Sequence, residues 1–215
     1  MGHSWGRAIY KEQLYLWDRT SRNLTDFATN FSFVINSLNR SVHADGITFF
    51  LNGTQLPSNK FGEDLGLTNN VTNTTVIRFV AVEFDTFCNK AKRDPVSDHV
   101  GIDINSAISV KTVNWSSNID EGKLNHVSIR YTSGSQNLSV VLITEFMDDK
   151  TTSQSLSYKV DLREYLPEFF IIGFSGVTGK AFQINNIYSW NFSSTLPPPN
   201  LVDQEMETKQ ELWWD

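Results

Sequence analysis

Apolar and polar residues alternate along most of this chain, and the period is two. Asp26 to Asn36, DFATNFSFVIN, places Phe27, Phe31, Phe33 and Ile35 among its anchors, the pattern of a strand with one buried face. Gly46 to Leu51, GITFFL, is a short and strongly apolar strand, and a further strand runs through Val80 into an acidic stretch. His99 to Trp115 reads as one long strand able to bend across the domain. Asn125 to Tyr131 and Asn137 to Thr144 flank the short polar TSGSQ, which predicts a hairpin. Leu156 to Val160, Phe169 to Phe174 with the following SGVTG, and Phe182 to Phe192 complete the strand set. Ala8 to Trp17 alternates loosely and breaks at Asp18 to Asn23. Asn52 to Asn73 has little periodicity and reads as a long connection, a kind that usually carries function in a compact domain. DLREYLP allows one helical turn closed by Pro167, and no amphipathic helix of ordinary length is legible. Strands at this density predict an all-β sandwich or jelly roll.

Within that scaffold, Val80 to Asp103, VAVEFDTFCNKAKRDPVSDHVGID, breaks the rule that strands bury apolar side chains. Strand alternation sends Phe79, Ala81, Glu83, Asp85 and Phe87 to one face and Val80, Val82 and Phe84 to the other. Glu83 and Asp85 therefore share a face, where loss of hydration and mutual repulsion cost several kcal/mol unless a cation compensates. Asn89, Asp94 and His99 follow within a short loop containing Pro95 and supply further ligand-type side chains.

Composition narrows the setting. The chain has 215 residues, with 40% hydrophobic and 13% aromatic residues, enough for one large core. A net charge of −6 argues against a nucleic-acid or anionic-membrane surface. The longest apolar run, FFIIGF at Phe169 to Phe174, is too short to span a bilayer. Cys88 is the single cysteine, so an intrachain disulfide is excluded. Asn-x-Ser/Thr sequons at Asn23, Asn30, Asn39, Asn52, Asn70, Asn73, Asn114, Asn137 and Asn191 favour an extracellular setting. The opening MGHSWGRAIY has no apolar signal core, so that expectation rests on the sequons.

Four blocks in order, HADGITFFL, VAVEFDTFCNKAKRDPVSDHVGIDIN, GFSGVTG and INNIYSWNF, resemble the legume (L-type) lectin domain. LYLWDRTSRNLTDFATNFSFVI and SLSYKVDLREYLPEFF are most similar to the extracellular lectin domains of plant lectin receptor kinases. The resemblance implies a legume-lectin jelly-roll β-sandwich over residues 1–195, N-terminally shortened and lacking the family's first edge strand. Residues 196–215 are expected to be a Pro-rich spacer, LPPPN, and a polar tail without strand or helix.

The same resemblance assigns residues to roles. Glu83, Asp85, Asp94 and His99 would hold a transition ion, usually manganese, with Ser109 near a metal-bound water. Asp85, Asn89, Asp94 and the Phe87 carbonyl would hold calcium. The division suits the chemistry, because calcium takes oxygen ligands and an imidazole suits manganese or a similar ion. Asp45, after an Ala44–Asp45 peptide that is cis in the family, would accept from two sugar hydroxyls; the Asn89 amide would donate, and Phe87 would offer a flat face. Lys180 and Ala181 match the variable specificity loop. Glu63 stands where the family donates a glycine N–H to the sugar, and Asp64 where it has an aromatic residue, so two carboxylates are expected beside the pocket. His43 and His126 lack ligand-spaced partners, and Trp5, Trp17, Trp115 and Trp190 read as core or interface.

Three classes of function follow. The first is a calcium- and manganese-dependent carbohydrate-binding domain for glycans or glycoconjugates, able to form a homodimer through its back sheet. The second is a receptor-like or defence protein that has lost sugar binding and works through protein contacts, which Glu63 and Asp64 favour. The third, a sandwich-fold glycoside hydrolase, needs a second carboxylate close after Glu83-x-Asp85, where this chain has Phe87 and Cys88.

Overall fold

The computed structural model describes residues 4–53, 56, 64–68, 77–117, 119–146, 150–178, 181–196 and 213–214. Thirteen strands are described: β1 Ser4–Ile9, β2 Leu14–Tyr15, β3 Phe27–Asn36, β4 Gly46–Asn52, β5 Phe79–Asp85, β6 His99–Ile104, β7 Lys111–Asn114, β8 Leu124–Thr132, β9 Asn137–Glu145, β10 Thr151–Lys159, β11 Phe169–Thr178, β12 Ile184–Ser194 and β13 Trp213–Trp214. They form two antiparallel sheets. One runs β13-β1-β11-β4-β5-β6-β7, with β2 also on β11, and the other runs β10-β9-β8-β3-β12. This is the expected all-β sandwich.

Phe31 shows what joins the sheets. From β3 it reaches Phe49, Phe84 and Phe174 of the facing sheet, with ring centroids 5.8, 5.8 and 4.9 Å away. Phe33, two residues on and so on the same face, meets Phe84 at 4.9 Å and Trp115 at 5.9 Å. Each such aromatic pair adds about 0.5–1.5 kcal/mol beyond the area it buries. Trp17, Trp115 and Trp190 all belong to this core, whereas Trp5 is half-buried at an edge.

β5 is buried on both faces. Val80, Val82 and Phe84 enter the core between the sheets, while Phe79 and Ala81 join Phe50 and Leu67 in a second cluster on the concave side. The acidic pair Glu83 and Asp85 continues that concave face, as the alternation required.

Several boundaries differ from expectation. His99 to Trp115 is two strands, not one: β6 and β7 pair antiparallel, His99 with Asn114 and Ile102 with Lys111. The reversal runs through Asn105, whose φ of 53° suits Asn, and whose side-chain carbonyl accepts from the Phe79 N–H at 2.8 Å. β10 begins at Thr151 rather than Leu156. Its polar start, TTSQS, is held by the ladder to β9 at a sheet edge and has no apolar rhythm to announce it. The tail contains a strand after all, because Trp213 and Trp214 pair with Ile9 and Ala8 on the edge of β1. Two β-favouring residues suffice to add to an edge and are too few to show a period. The DLREYLP turn is a 3-10 turn at Leu162–Glu164, and the Asp161 side chain accepts from the Arg163 N–H at its start. No helix among the described residues is long and apolar enough to cross a membrane.

Candidate metal centre and binding site

The site forms where β5 ends and β6 begins. In the antiparallel ladder Asp85 lies directly opposite His99 and Glu83 opposite Gly101. Both acids and the imidazole thus leave neighbouring strands on one face. A side chain at 101 would press on Glu83: a Cβ there would lie 2.4 Å from the Glu83 carboxylate and 2.1 Å from the Ser109 hydroxyl. Glycine leaves room for both.

The 86–98 loop returns to this point. Asp94 is folded back so that its Oδ2 accepts from the Asn89 N–H at 2.7 Å, while Asp85 Oδ1 accepts from the Phe87 N–H at 2.6 Å. A 3-10 turn at Lys90–Lys92 closes on Arg93, in the left-handed region at φ 64°. One ligand atom from each of Asp85, Asp94 and His99 lies within 4.8 Å of the others. Glu83 joins them through His99, its Oε1 standing 3.3 Å from Nε2.

The electrostatics are those of a site built for a cation. Burial holds the Asp85 carboxyl well above the usual range, and negative Glu83, Asp94 and Asp45 add to the shift. Burial also raises Asp94. For His99 burial works downward, but the Glu83 hydrogen bond and the charges of Glu83 and Asp94 outweigh it, and the net shift is upward. The side-chain oxygen of Asn89 is buried with no hydrogen-bond partner. An oxygen-rich cluster that resists ionising, together with an orphaned amide oxygen, is an arrangement that a metal ion would complete. The residues present fit calcium and manganese.

Asp103 was not foreseen. It is wholly buried on β6, and burial followed by the nearby Glu83 charge holds its carboxyl well above the usual range. The Ser109 hydroxyl lies between them, bonded to Asp103 Oδ1 at 2.7 Å and to Glu83 Oε1. The signal was available: strand alternation puts His99, Gly101 and Asp103 on one face.

Asp45 stands beside this cluster. The Ala44–Asp45 peptide is cis, as the resemblance implies, and Gly46 at φ 148° passes so close to β5 that a Cβ would lie 2.3 Å from the Phe84 carbonyl. The Asp45 N–H donates to the Val177 carbonyl at 3.1 Å, and the Asp45 carbonyl accepts from the Thr86 N–H at 2.9 Å and hydroxyl at 3.1 Å. Thr86 also donates to buried Gln183, 2.8 Å away, which draws the segment after Ala181 towards the metal loop. Thr86 and Gln183 are buried beside the candidate site and carry no sequence signature. Phe87 is 38% exposed at the rim, and Ala181 is half-buried.

Glu63 and Lys180 lie outside the described residues. Asp64 corrects one expectation: its side chain is 0% exposed and paired with Lys92 Nζ at 2.7 Å, so it faces inward and does not oppose a ligand. His126 forms an exposed hydrogen bond with Glu145, Nε2 to Oε1 at 2.6 Å, away from the site.

Comparison with known proteins agrees with this geometry. Residues 1–208 match the legume lectin domain. Seed agglutinin 2 of Robinia pseudoacacia is 38% identical over 202 residues, covering 93% of this chain and 69% of the relative. Among solved structures, lectin UEA-II complexed with galactose superposes with a TM-score of 0.81 at 37% identity, covering 90% of this chain and 82% of that one. The metal-free form of lectin I-B4 from Griffonia simplicifolia gives 0.79 at 37%, covering 91% and 83%. This chain belongs to the legume lectin family. The relatives it matches are agglutinins and lectins, in keeping with a chain that is not an enzyme.

Proposed function

We propose that the chain binds carbohydrate at a shallow site whose shape depends on calcium and a manganese-like ion. Asp85, Asn89, Asp94 and the Phe87 carbonyl would hold calcium, and Glu83, Asp85, Asp94 and His99 the transition ion. When bound, the ions neutralise the crowded carboxylates and give the Asn89 oxygen its partner. The chain's own residues then do the recognising. Asp45 accepts from sugar hydroxyls, the Asn89 amide donates, and Phe87 covers the apolar face of the ring; by resemblance Lys180 and Ala181 match the variable specificity loop and Glu63 the position of the family's glycine donor. The observation that carries this reading is the buried, unpartnered Asn89 oxygen beside the Asp85–Asp94–His99 cluster.

A single open site of this kind binds weakly, so useful avidity needs several copies. Val141 and Ile143, exposed on the outer face of the β8–β9 part of the second sheet, support a homodimer through that face. The setting we infer is extracellular, as in a receptor-like or defence protein. Sequon asparagines 23, 30, 39, 114 and 191 are exposed, whereas Asn52 is 1% exposed and unsuited to carry a glycan. The protein-contact alternative loses part of its basis with Asp64 buried.

The test is a screen of immobilised glycans with and without chelator. Binding that chelation abolishes and calcium with manganese restores is the expected result. Binding indifferent to chelation, or none with both metals bound, would overturn the reading.

A further inference from the structure

The Lys92–Asp64 ion pair links the loop around Gly66 to the loop that carries Asn89 and Asp94. We propose that Lys92 is a positioning residue whose pair with buried Asp64 clamps the loop around Gly66 onto the metal loop, and so fixes Asn89 relative to Asp45. The proposal rests on the binding function above.

Each end of the clamp is defined. Lys92 Nζ meets Asp64 Oδ1 at 2.7 Å, with the Lys92 side chain 16% exposed and the Asp64 side chain not at all. The Lys92 N–H donates to the Asn89 carbonyl at 2.8 Å. One residue therefore grips the proposed sugar donor through its backbone and the neighbouring loop through its charge. On the other side, Asp64 accepts through its carbonyl from the Leu67 N–H at 2.9 Å, and Leu67 is anchored among Phe50, Phe79 and Ala81 on the concave face.

The Gly66 end of that loop touches the Asp45 side of the site. Arg7 donates to the Gly66 carbonyl. A Cβ on Gly66, at φ 74°, would lie 2.5 Å from the Ser175 hydroxyl and 3.2 Å from the Val177 side chain. Val177 is the residue whose carbonyl receives the Asp45 N–H. Bonds thus join Asn89 to Lys92 and Lys92 to Asp64, and the loop that follows Asp64 brings Gly66 close beside Val177, which holds Asp45. A buried pair of this kind contributes geometry more reliably than stability, because its desolvation offsets much of its attraction.

The chain as it stands, with Lys92→Met, Lys92→Arg and Lys92→Met/Asp64→Asn variants, provides the test. In chelator, Lys92→Met should speed hydrogen exchange of the amides at 92 and 67 by about tenfold or more, leaving β5 and β8 amides unchanged. Its calcium affinity should fall about tenfold, and Lys92→Arg should recover most of it. The double variant, which removes both charges of the pair, should recover the melting temperature and keep the fast local exchange and weakened calcium binding. Wild-type exchange and calcium affinity in Lys92→Met would overturn the proposal. So would recovery of exchange and calcium affinity along with melting temperature in the double variant, since the pair would then be structural only. If the wild type binds no glycan while Lys92→Met shows these shifts, the sugar reading fails and the clamp stands. If chelator-sensitive glycan binding is equally strong in wild type and Lys92→Met, the clamp fails and the sugar reading stands.

Discussion

Asp85 and His99 sit directly opposite each other in the β5–β6 ladder, so a carboxylate and an imidazole project side by side from adjacent strands. The pairing makes the candidate metal centre a property of the sheet. The 86–98 loop then has only to return Asp94 and Asn89 to a place already defined.

Asp85 belongs to both proposed ligand sets, so Asp85→Ala should lose calcium and manganese together, measured by titration calorimetry after chelation. In metal-free protein the same change removes a buried carboxylate held well above its usual range. The melting-temperature loss caused by Asp85→Ala should therefore be smaller in chelator than in calcium at neutral pH. Full retention of calcium affinity would show that the two sites share no ligand.

The pH dependence follows from the same shifts. Asp85 and Asp103 are both held well above the usual carboxylate range, by burial first and Glu83 next. A carboxyl raised in the folded state binds its proton more tightly when folded. Its contribution to stability is therefore present below the unfolded value of about 4 and is lost as pH rises toward the raised one. A bound cation works in the opposite sense, since its ligands must be deprotonated. The melting-temperature difference between calcium-loaded and chelated protein should widen from about pH 5 to about pH 7.5. A constant or narrowing difference would place the metal elsewhere.

Much of this site was legible before the structure because strand alternation is a strong constraint. Once Val80, Val82 and Phe84 are assigned to the core, Glu83 and Asp85 must share the other face, and family resemblance adds Asp94, His99 and Asn89. Other features carry no periodic signal. Asp64 looked like a surface carboxylate because its partner, Lys92, is contributed by a different loop. Gln183 reaches Thr86 across similarly distant sequence. The β6–β7 reversal was hidden because Asn105 interrupts an otherwise acceptable strand pattern. The two tryptophans of β13 form too short an element to declare itself.

Gly101 tests the division between the two metals. A methyl there meets Glu83 Oε1 and the Ser109 hydroxyl, but no proposed calcium ligand is among its nearest neighbours. Gly101→Ala should weaken manganese binding about tenfold or more and change calcium binding severalfold less, read by titrating each ion alone. Equal losses would mean that Glu83 also serves calcium.

Asp103 tests the protonation state of the buried network. Burial, and then the nearby Glu83 charge, favour its neutral, hydrogen-bonding form. Asp103→Asn preserves size and hydrogen-bonding capacity and should leave the melting temperature nearly unchanged. Asp103→Ala removes one of the two partners of the Ser109 hydroxyl and empties a wholly buried position, and should cost about 2 kcal/mol, roughly 4–8 °C for a chain of this length. If Asn and Ala were equally damaging, the carboxyl would have to be charged.

The most direct test separates metal from sugar in one variant. Asp45 lies beside the metal cluster but is assigned to neither ion, so Asp45→Asn should retain both metals and lose glycan binding about a hundredfold or more, measured by calorimetry with a glycan found on the array. Retained glycan affinity in a fully metal-loaded Asp45→Asn protein would contradict the account.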